Sequence, residues 1–399
     1  MPVATGSDIR LSVVIPTRDR CDELAATLAE LVGQVGCDDE IIVIDNGSAD
    51  QAPARLASRF DQVRWIELGA NMGCAARNVG AVAAGGDVLV MMDDDSIPVP
   101  GTLDGLREAF ANDADLAAIA CRIRLADDPE RHDAGGLAGV IVNCGAAIRR
   151  AAFLDVGGYP IDFDYYAEEY DLCCRLWRAG WRIAPRGDLV FLHRRSPRNR
   201  DANRMLARLV RNNLTVWSRY APESMRQRMM IETVDRYQMV ARREDADAGF
   251  REGLTQWQAE AARRPPARTP LTEAQLDTMF GLPIVRRSLA RERDAWRGRR
   301  FGVWTRGKGC PQLLDALRAA GADVAGVYEP KPAASTWLGW PLRDATSLHN
   351  DEVSVLVPGT LSPGAAEDLG RELTGRFPDH QILSPIGWSS SLCATATAA

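Results

Sequence analysis

The 399-residue sequence predicts an α/β protein, opening with a mostly parallel sheet covered by helices on both faces. Three observations predict it. Short, β-branched apolar runs recur along the first hundred residues, which is the pattern of strands buried on both faces. Stretches with apolar residues at helical spacing separate them. The runs also end in polar clusters, and in such sheets ligands sit beyond the carboxyl ends of the strands.

Leu11–Ile15 is the first strand and Pro16 is expected to stop it. Leu24, Leu28, Leu31 and Val35 mark an amphipathic helix from about Asp22 to Val35. Ile41–Ile44 is a second buried strand, running into Asp45-Asn46-Gly47-Ser48, and Val63–Leu68 is a third. Gly73–Ala84 is a small-residue helix able to pack closely on a sheet, and Val88–Met92 is the fourth strand. The clusters Pro16–Arg18, Asp45–Ser48 and Asp93–Ser96 thus fall at three strand ends facing one crevice. From about Asp201 to Arg299 the composition turns to Arg, Met, Glu and Ala with helical spacing, broken at Arg263–Pro270. Phe301–Thr305 opens a second alternation. Helices at Pro311–Ala320 and Ala365–Arg376 and strands at Val324–Tyr328, Val353–Val357 and Gln381–Leu383 make a small Rossmann-like α/β unit. The expected organisation is a catalytic domain over 1–220, a helical connector over 221–298, the Rossmann-like unit over 299–388 and a disordered tail over 389–399.

Hydrophobic content of 46% and charged content of 26% are those of a soluble globular protein, and the length exceeds one ordinary core. A net charge of −6 gives no general electrostatic reason to bind nucleic acid or an anionic membrane. Nine cysteines without a C-x-x-C pair fit reduced thiols, and neither a secretory signal nor a spanning apolar run is visible, so a cytoplasmic location is expected.

Asp93-Asp94-Asp95, after the apolar run Val88–Met92, is the most informative feature. Carboxylates so crowded either form an acidic turn or hold a cation, and hard oxygen ligands suit Mg²⁺ or Mn²⁺. The segments "SVVIPTRDR" (12–20), "IIVIDNGSAD" (41–50), "NMGCAARNVG" (71–80) and "VLVMMDDDS" (88–96) resemble family-2 glycosyltransferases of the GT-A fold. So do "NCGAAIRRAAFLDVGGY" (143–159), "EEYDLCCRLWRAGWRI" (168–183) and "FLHRRSP" (191–197). Each is weak alone, but the ordered set, covering roughly residues 10–220, is specific.

The resemblance implies a sugar-nucleotide site. Pro16, Thr17, Arg18 and Asp45 would hold the base, with Asp45 also readable as an Asx-turn residue before Asn46-Gly47. Arg77 and Asn78 match positions near the nucleotide, although Arg77 also reads as a helix-surface arginine. In the D-x-D signature Asp93 lies toward the ribose and Asp95 on the metal. Asp94 points the opposite way and is kept among the nucleotide-side candidates. His193 matches a late histidine that helps hold the metal or diphosphate. Glu169, where the family more often has Asp, is the implied general base, and Glu168 and Asp171 are the accompanying acids or helix caps. Trp177 and Trp181 read as core rather than as the floor of a sugar site, and Arg211 as part of a solvated face rather than a diphosphate contact.

The implied activity is a metal-dependent, inverting transfer from a UDP- or dTDP-linked sugar to an acceptor hydroxyl or amine, by one in-line displacement. A soluble small molecule or a cell-envelope glycan fits as acceptor. The alternatives are a nucleotidyltransferase, which normally opens on a Gly-rich basic loop unlike "PTRDRCDEL", and a non-catalytic sugar-nucleotide-binding or scaffold protein. In the C-terminal unit Gly307-Lys308-Gly309 stands where a phosphate cradle would, with Gln312 at the third glycine position and Glu329 as a ribose-binding acid. A degenerate unit serving packing, homodimerisation or recognition is favoured there over one that binds NAD(P).

Overall fold

The computed structural model describes residues 9–133, 135–195, 201–263 and 267–388. The expected tail at 389–399, the Pro265-Pro266 break and Ser196-Pro197 lie outside the described residues. The first sheet comprises β1 (Leu11–Thr17), β2 (Glu40–Asp45), β3 (Val63–Glu67), β4 (Val88–Met91), β5 (Ser96–Pro98), β6 (Leu116–Leu125), β7 (Ala146–Arg149) and β8 (Arg182–His193). Its order is β3-β2-β1-β4-β7-β6-β8-β5. β1 to β4 are mutually parallel, β7 runs antiparallel to β4 and β6, and β5 runs antiparallel to β8.

Alternation along the strands divides their side chains between two cores. Val13, Ile15, Ile41, Val43, Val88 and Val90 enter one, packed with Leu24, Leu28 and Leu31 of α1 (Cys21–Leu31), Leu56 of α2 (Ala52–Leu56) and Leu106 of α4 (Thr102–Ala111). Val14, Ile42, Ile44, Leu89 and Met91 enter the other, under α3 (Ala76–Ala83) and with Phe153 of α5 (Arg150–Asp155). Gly80 makes that second contact close, because a Cβ there would stand 2.7 Å from Val14 and 2.8 Å from Ile44. β1 continues through Pro16 where the sequence suggested a stop. Val14 accepts from Met92 N–H on the β4 side, so Pro16, two residues on, turns its missing donor to that side beyond the last β1–β4 pair.

α6 (Glu168–Arg178) precedes β8, and α7 (Ala202–Tyr220), α8 (Glu223–Arg243) and α9 (Asp247–Arg263) follow it, sharing a core of Leu206, Val210, Leu214, Tyr237 and Phe250. α10 (Glu273–Phe280), α11 (Leu282–Arg291) and α12 (Arg293–Trp296) lead to the second sheet. Its strands are β9 (Arg300–Trp304), β10 (Asp323–Glu329), β11 (Thr336–Trp337), β12 (Trp340–Asp344), β13 (Val355–Pro358) and β14 (Gln381–Ile382), in the order β11-β12-β10-β9-β13-β14. α13 (Cys310–Ala319) follows β9, and α14 (Pro363–Arg376) joins β13 to β14. The core under α3 runs on through Leu176, Met279, Phe280 and Val285 to Phe301, Val303 and Val327. The second sheet is therefore fastened to the first by shared apolar packing. No helix among the described residues is long and apolar enough to cross a membrane.

A polar contact also spans the two sheets. Arg122 of β6 donates to Glu367 of α14 at 2.6 Å and to His132 Nε2 at 2.8 Å, while His132 Nδ1 pairs with Asp368 at 2.7 Å. Burial lowers the His132 pKa despite Asp368, keeping the ring neutral. A neutral buried histidine contributes stability above the unfolded pKa of about 6.5 that is lost as pH falls below it. Arg122 and Glu367 are only 11% and 10% exposed at their side chains. Glu367→Ala should lower unfolding stability by about 3 kcal/mol, because it strands a buried guanidinium. Arg371→Ala, removing a half-exposed partner of Asp368, should cost less than about 1 kcal/mol. Urea midpoints of the two variants check the contrast.

Candidate active site

β4 ends beneath three consecutive carboxylates, and three cationic side chains meet them, with Arg20 shared between Asp94 and Asp95. Asp93, half-exposed, pairs with Arg77 of α3, a guanidinium only 3% exposed that also donates to Met92 O at 3.3 Å. Asp94 turns inward, accepting from Thr17 Oγ1 at 2.8 Å and pairing with Arg20 at 3.2 Å. Asp95 takes Arg20 Nη2 at 2.5 Å and His193 Nε2 at 3.0 Å. The antiparallel register of β5 with β8 sets Ser96 opposite His193, which brings the histidine beside the acidic turn. Its other nitrogen pairs with Asp133.

These contacts set the ionisation. Burial pushes the Asp94 carboxyl up to about 7, with Arg20 opposing and Asp95 adding to the rise. Burial disfavours the His193 imidazolium, but Asp133 and Asp95 outweigh it and raise its pKa to about 10. Asp93, Asp95 and His193 each offer a ligand atom within 4.8 Å of the others, as do Asp133, Cys144 and His193. The first trio offers two carboxylates where the second offers one carboxylate and a soft thiol, so it is the better site for a hard cation.

Glu168 and Glu169 open α6. The backbone reaches them through Asp164, Tyr166 and Ala167, all left-handed at φ 62°, 72° and 64°. Glu168 is buried. Asn143 donates to its Oε1 at 3.0 Å and Tyr159 Oη donates to Asn143, while Glu168 Oε2 is buried without a partner. Glu169 is half-buried. Both carboxyls are raised, foremost by burial, and the charge of Asp93 adds to the rise in each.

The remaining expected residues divide. Asp45 is buried at the end of β2 and accepts Ser48 N–H at 3.2 Å, the Asx turn of the sequence reading. Pro16 and Thr17 close β1 beside it, and Arg18 is exposed next to Asp19. Asn78 is not turned to the crevice. It donates to Tyr159 O at 2.9 Å and accepts Tyr159 N–H at 2.8 Å, which uses both ends of its amide on main chain. Asp171 is enclosed by Arg175 at 2.7 Å, Arg219 at 3.3 Å and Tyr220 Oη at 2.8 Å, so it serves packing. Trp177 is core, as expected, donating to Gly139 O at 3.1 Å. Arg211 lies at the surface, where it binds Asp162 O and approaches Glu260 at 3.7 Å. Arg20, Asp133, Asn143 and Tyr159 were missed. Only Arg20, Asn143 and Tyr159 lie inside quoted motifs, and nothing local marks their partners.

The Gly307-Lys308-Gly309 loop is filled from within. Gly309 N–H donates to Glu232 of α8 at 2.8 Å, and Arg306 grips Glu329 at 2.7 and 3.0 Å. Lys308 Nζ donates to Tyr170 Oη at 2.6 Å, and burial, with Arg236, lowers its pKa to about 7.

Residues 12–154 match the model of the family described as glycosyl transferase family 2. Those residues are a family-2 glycosyltransferase domain. Its α/β sheet is the GT-A-type architecture the sequence predicted. The domain is similar to chondroitin synthase of Escherichia coli, 35% identical over 119 residues, or 28% of this chain and 17% of that one. It is also similar to an N-acetylglucosaminyl-diphospho-decaprenol L-rhamnosyltransferase of Mycobacterium tuberculosis, 24% identical over 193 residues, or 35% of this chain and 62% of that one. The chain thus spans less than two thirds of either relative. Among solved structures, a mannosyltransferase from Pyrobaculum calidifontis in complex with GDP-Man and Mn²⁺ superposes with a TM-score of 0.44 at 17% identity, covering 78% of this chain and 86% of that one.

Asn78→Ala should lower stability by about 1–3 kcal/mol, because the buried Tyr159 main chain loses both partners. The dissociation constant for UDP or dTDP should stay within about twofold, as judged by calorimetric titration beside chemical denaturation.

Proposed function

We propose that this family-2 glycosyltransferase moves a sugar from a UDP- or dTDP-linked donor to an acceptor hydroxyl or amine, with inversion and dependence on a divalent cation. The observation that carries the reading is the meeting of Asp93, Asp95 and His193 within ligand distance of one another, with the charge of Asp93 adding to the raised carboxyls of Glu168 and Glu169.

The residues fit a divalent cation on their own chemistry. Two carboxylates and an imidazole are oxygen and nitrogen donors suited to Mg²⁺ or Mn²⁺. The cluster already attracts positive charge, since Arg20 and a protonated His193 both sit on Asp95. Asp93, Asp95 and neutral His193 would hold the ion, which when bound neutralises the diphosphate leaving group. The protein's other groups place the reactants. Pro16, Thr17, Arg18 and Asp45 form the rim for the pyrimidine, and Arg77 fixes Asp93 from behind.

Of the two glutamates, Glu169 is the base. Glu168 is buried and committed to Asn143, whereas Glu169 keeps partial exposure toward an incoming acceptor. The acceptor oxygen or nitrogen forms a bond to the anomeric carbon as the carbon–oxygen bond to phosphate breaks on the opposite face. The acceptor proton passes to Glu169 and the nucleoside diphosphate departs, so no covalent sugar–enzyme intermediate is needed. Because burial raises Glu169, its basic form is lost at a pH above the ordinary carboxylate range.

Glu169→Gln should lower kcat by about 10²–10⁴-fold with the donor dissociation constant unchanged. In the wild-type protein kcat should fall on acidification, with an apparent pKa above the value of about 4.3 for an unperturbed glutamate. Nucleotide release followed against pH, with product anomeric configuration by NMR, checks both. Unchanged turnover in Glu169→Gln rejects the role.

A further inference from the structure

The segment leading into the glutamate pair has a backbone that its own residues do not favour. Asp164, Tyr166 and Ala167 all carry side chains and all adopt positive φ, which costs free energy at each position unless surrounding contacts enforce it. Two sets of contacts do so. On one side Cys74 N–H donates to Asp164 O at 2.6 Å, and Gly73 permits the approach, since a Cβ there would lie 2.4 Å from that oxygen. On the other side stands Asn212 of α7. It is completely buried, and its Nδ2 lies 3.0 Å from Phe163 O, 2.9 Å from Tyr165 O and 2.7 Å from Tyr166 O.

All three partners are carbonyl oxygens, so the amide nitrogen must face them. The other end of the same amide, Oδ1, is buried with no partner. Asn212 is thus placed for its donor end alone. Arg208, Arg211 and Arg219, on the same side of α7, reach Asp164, Asp162 O and Asp162 from the surface, which aligns the helix along the loop. Ala167, the last left-handed residue, is the N-cap of α6, and Glu168 and Glu169 follow it directly. The direction in which the two glutamates leave the loop is therefore set by the carbonyls that Asn212 gathers.

We propose that Asn212 is a positioning residue for the reaction, holding loop 163–167 so that Glu169 is fixed in place at the N-terminus of α6. The proposal rests on the reading of Glu169 as the base. Asn213, the next residue, supplies a control. It is equally buried but turns to Leu209 O at 2.8 Å and Tyr237 Oη at 2.9 Å, away from the loop.

The test compares Asn212→Ala with Asn213→Ala in the full chain, using steady-state kinetics with UDP- and dTDP-sugars, titration with UDP and Mn²⁺, and amide hydrogen exchange. Asn212→Ala should lower kcat by roughly 10–100-fold, the scale of a misplaced catalytic group. Donor KM and UDP affinity should stay within about twofold, and exchange over 163–170 should quicken at least about tenfold. Asn213→Ala should leave kcat within about threefold and exchange in that segment unchanged. If Asn212→Ala does not accumulate folded, Asn212→Ser, which keeps one donor, is measured in its place with an intermediate loss expected. Wild-type kcat in the Asn212 variant, or a loss and exchange pattern matching Asn213→Ala, overturns the proposal. Glu169→Gln run alongside separates the two readings. Should that variant keep full turnover, the base assignment fails, while the exchange data still decide whether Asn212 holds the loop.

Discussion

Three adjacent carboxylates at the end of a fully buried strand repel one another unless cations are brought to them, and the N-terminal domain is arranged around that requirement. Arg77 comes from α3, Arg20 from the turn between β1 and α1, and His193 from the end of β8. Each cation lies on a different element, so the acidic turn ties the helix over one face, the first strand and the late hairpin-like pairing of β5 with β8 to a single point. Removing Arg20 would leave the buried Asp94 and Asp95 short of positive charge, a far larger penalty than an exposed pair could impose. Asp94 shows the strain most clearly: it is so deeply enclosed that its carboxyl is raised to about 7 even with Arg20 upon it. A site that gathers protein cations so readily has the electrostatics to receive a metal ion.

Across the crevice the glutamate pair depends on a second kind of constraint, backbone conformation in place of charge. The loop before α6 is left-handed at three residues with side chains, and contacts from the Gly73 turn and from α7 enforce it. The C-terminal sheet reaches the same helix from beneath. Lys308 bonds to Tyr170, the residue after Glu169, and the Gly-Lys-Gly loop uses its amide on Glu232. That loop has the position of a phosphate cradle, but a carboxylate of α8 occupies it, and Arg306 occupies the acid that a ribose would need. These contacts, together with the apolar core continuous between the sheets, tie the second unit to α6 and α8.

Much of this was legible in the sequence because it depends on local pattern. Val88–Met92 could only be a buried strand, and the alternation of such runs with helical spacing defined the sheet. The clustering of Asp45, Asp93 and Asp95 at one rim follows from strand direction alone. Other features are set by contacts distant in sequence. Asn78 stands where a nucleotide contact was expected, yet the main chain of Tyr159, 81 residues on, claims its amide. Asp133 carries no motif and Asn212 lies in a helical segment whose pattern does not single it out, and their importance lies in His193 and in the loop carbonyls they meet. Pro16 looked like a strand end because the sequence does not reveal that β4 stops two residues earlier in register. The two-residue β11 and the short β12 fall below what periodicity can detect.

We propose that the aspartate cluster holds a divalent ion against a donor diphosphate. Anomalous diffraction from crystals grown with Mn²⁺ and UDP or dTDP locates that ion. One manganese peak bonded at about 2.0–2.3 Å to Asp95 is expected, with diphosphate oxygens on the same ion and Arg20 displaced from Asp95. A nucleotide bound without metal, or manganese found only at other carboxylates while Arg20 stays on Asp95, would contradict it.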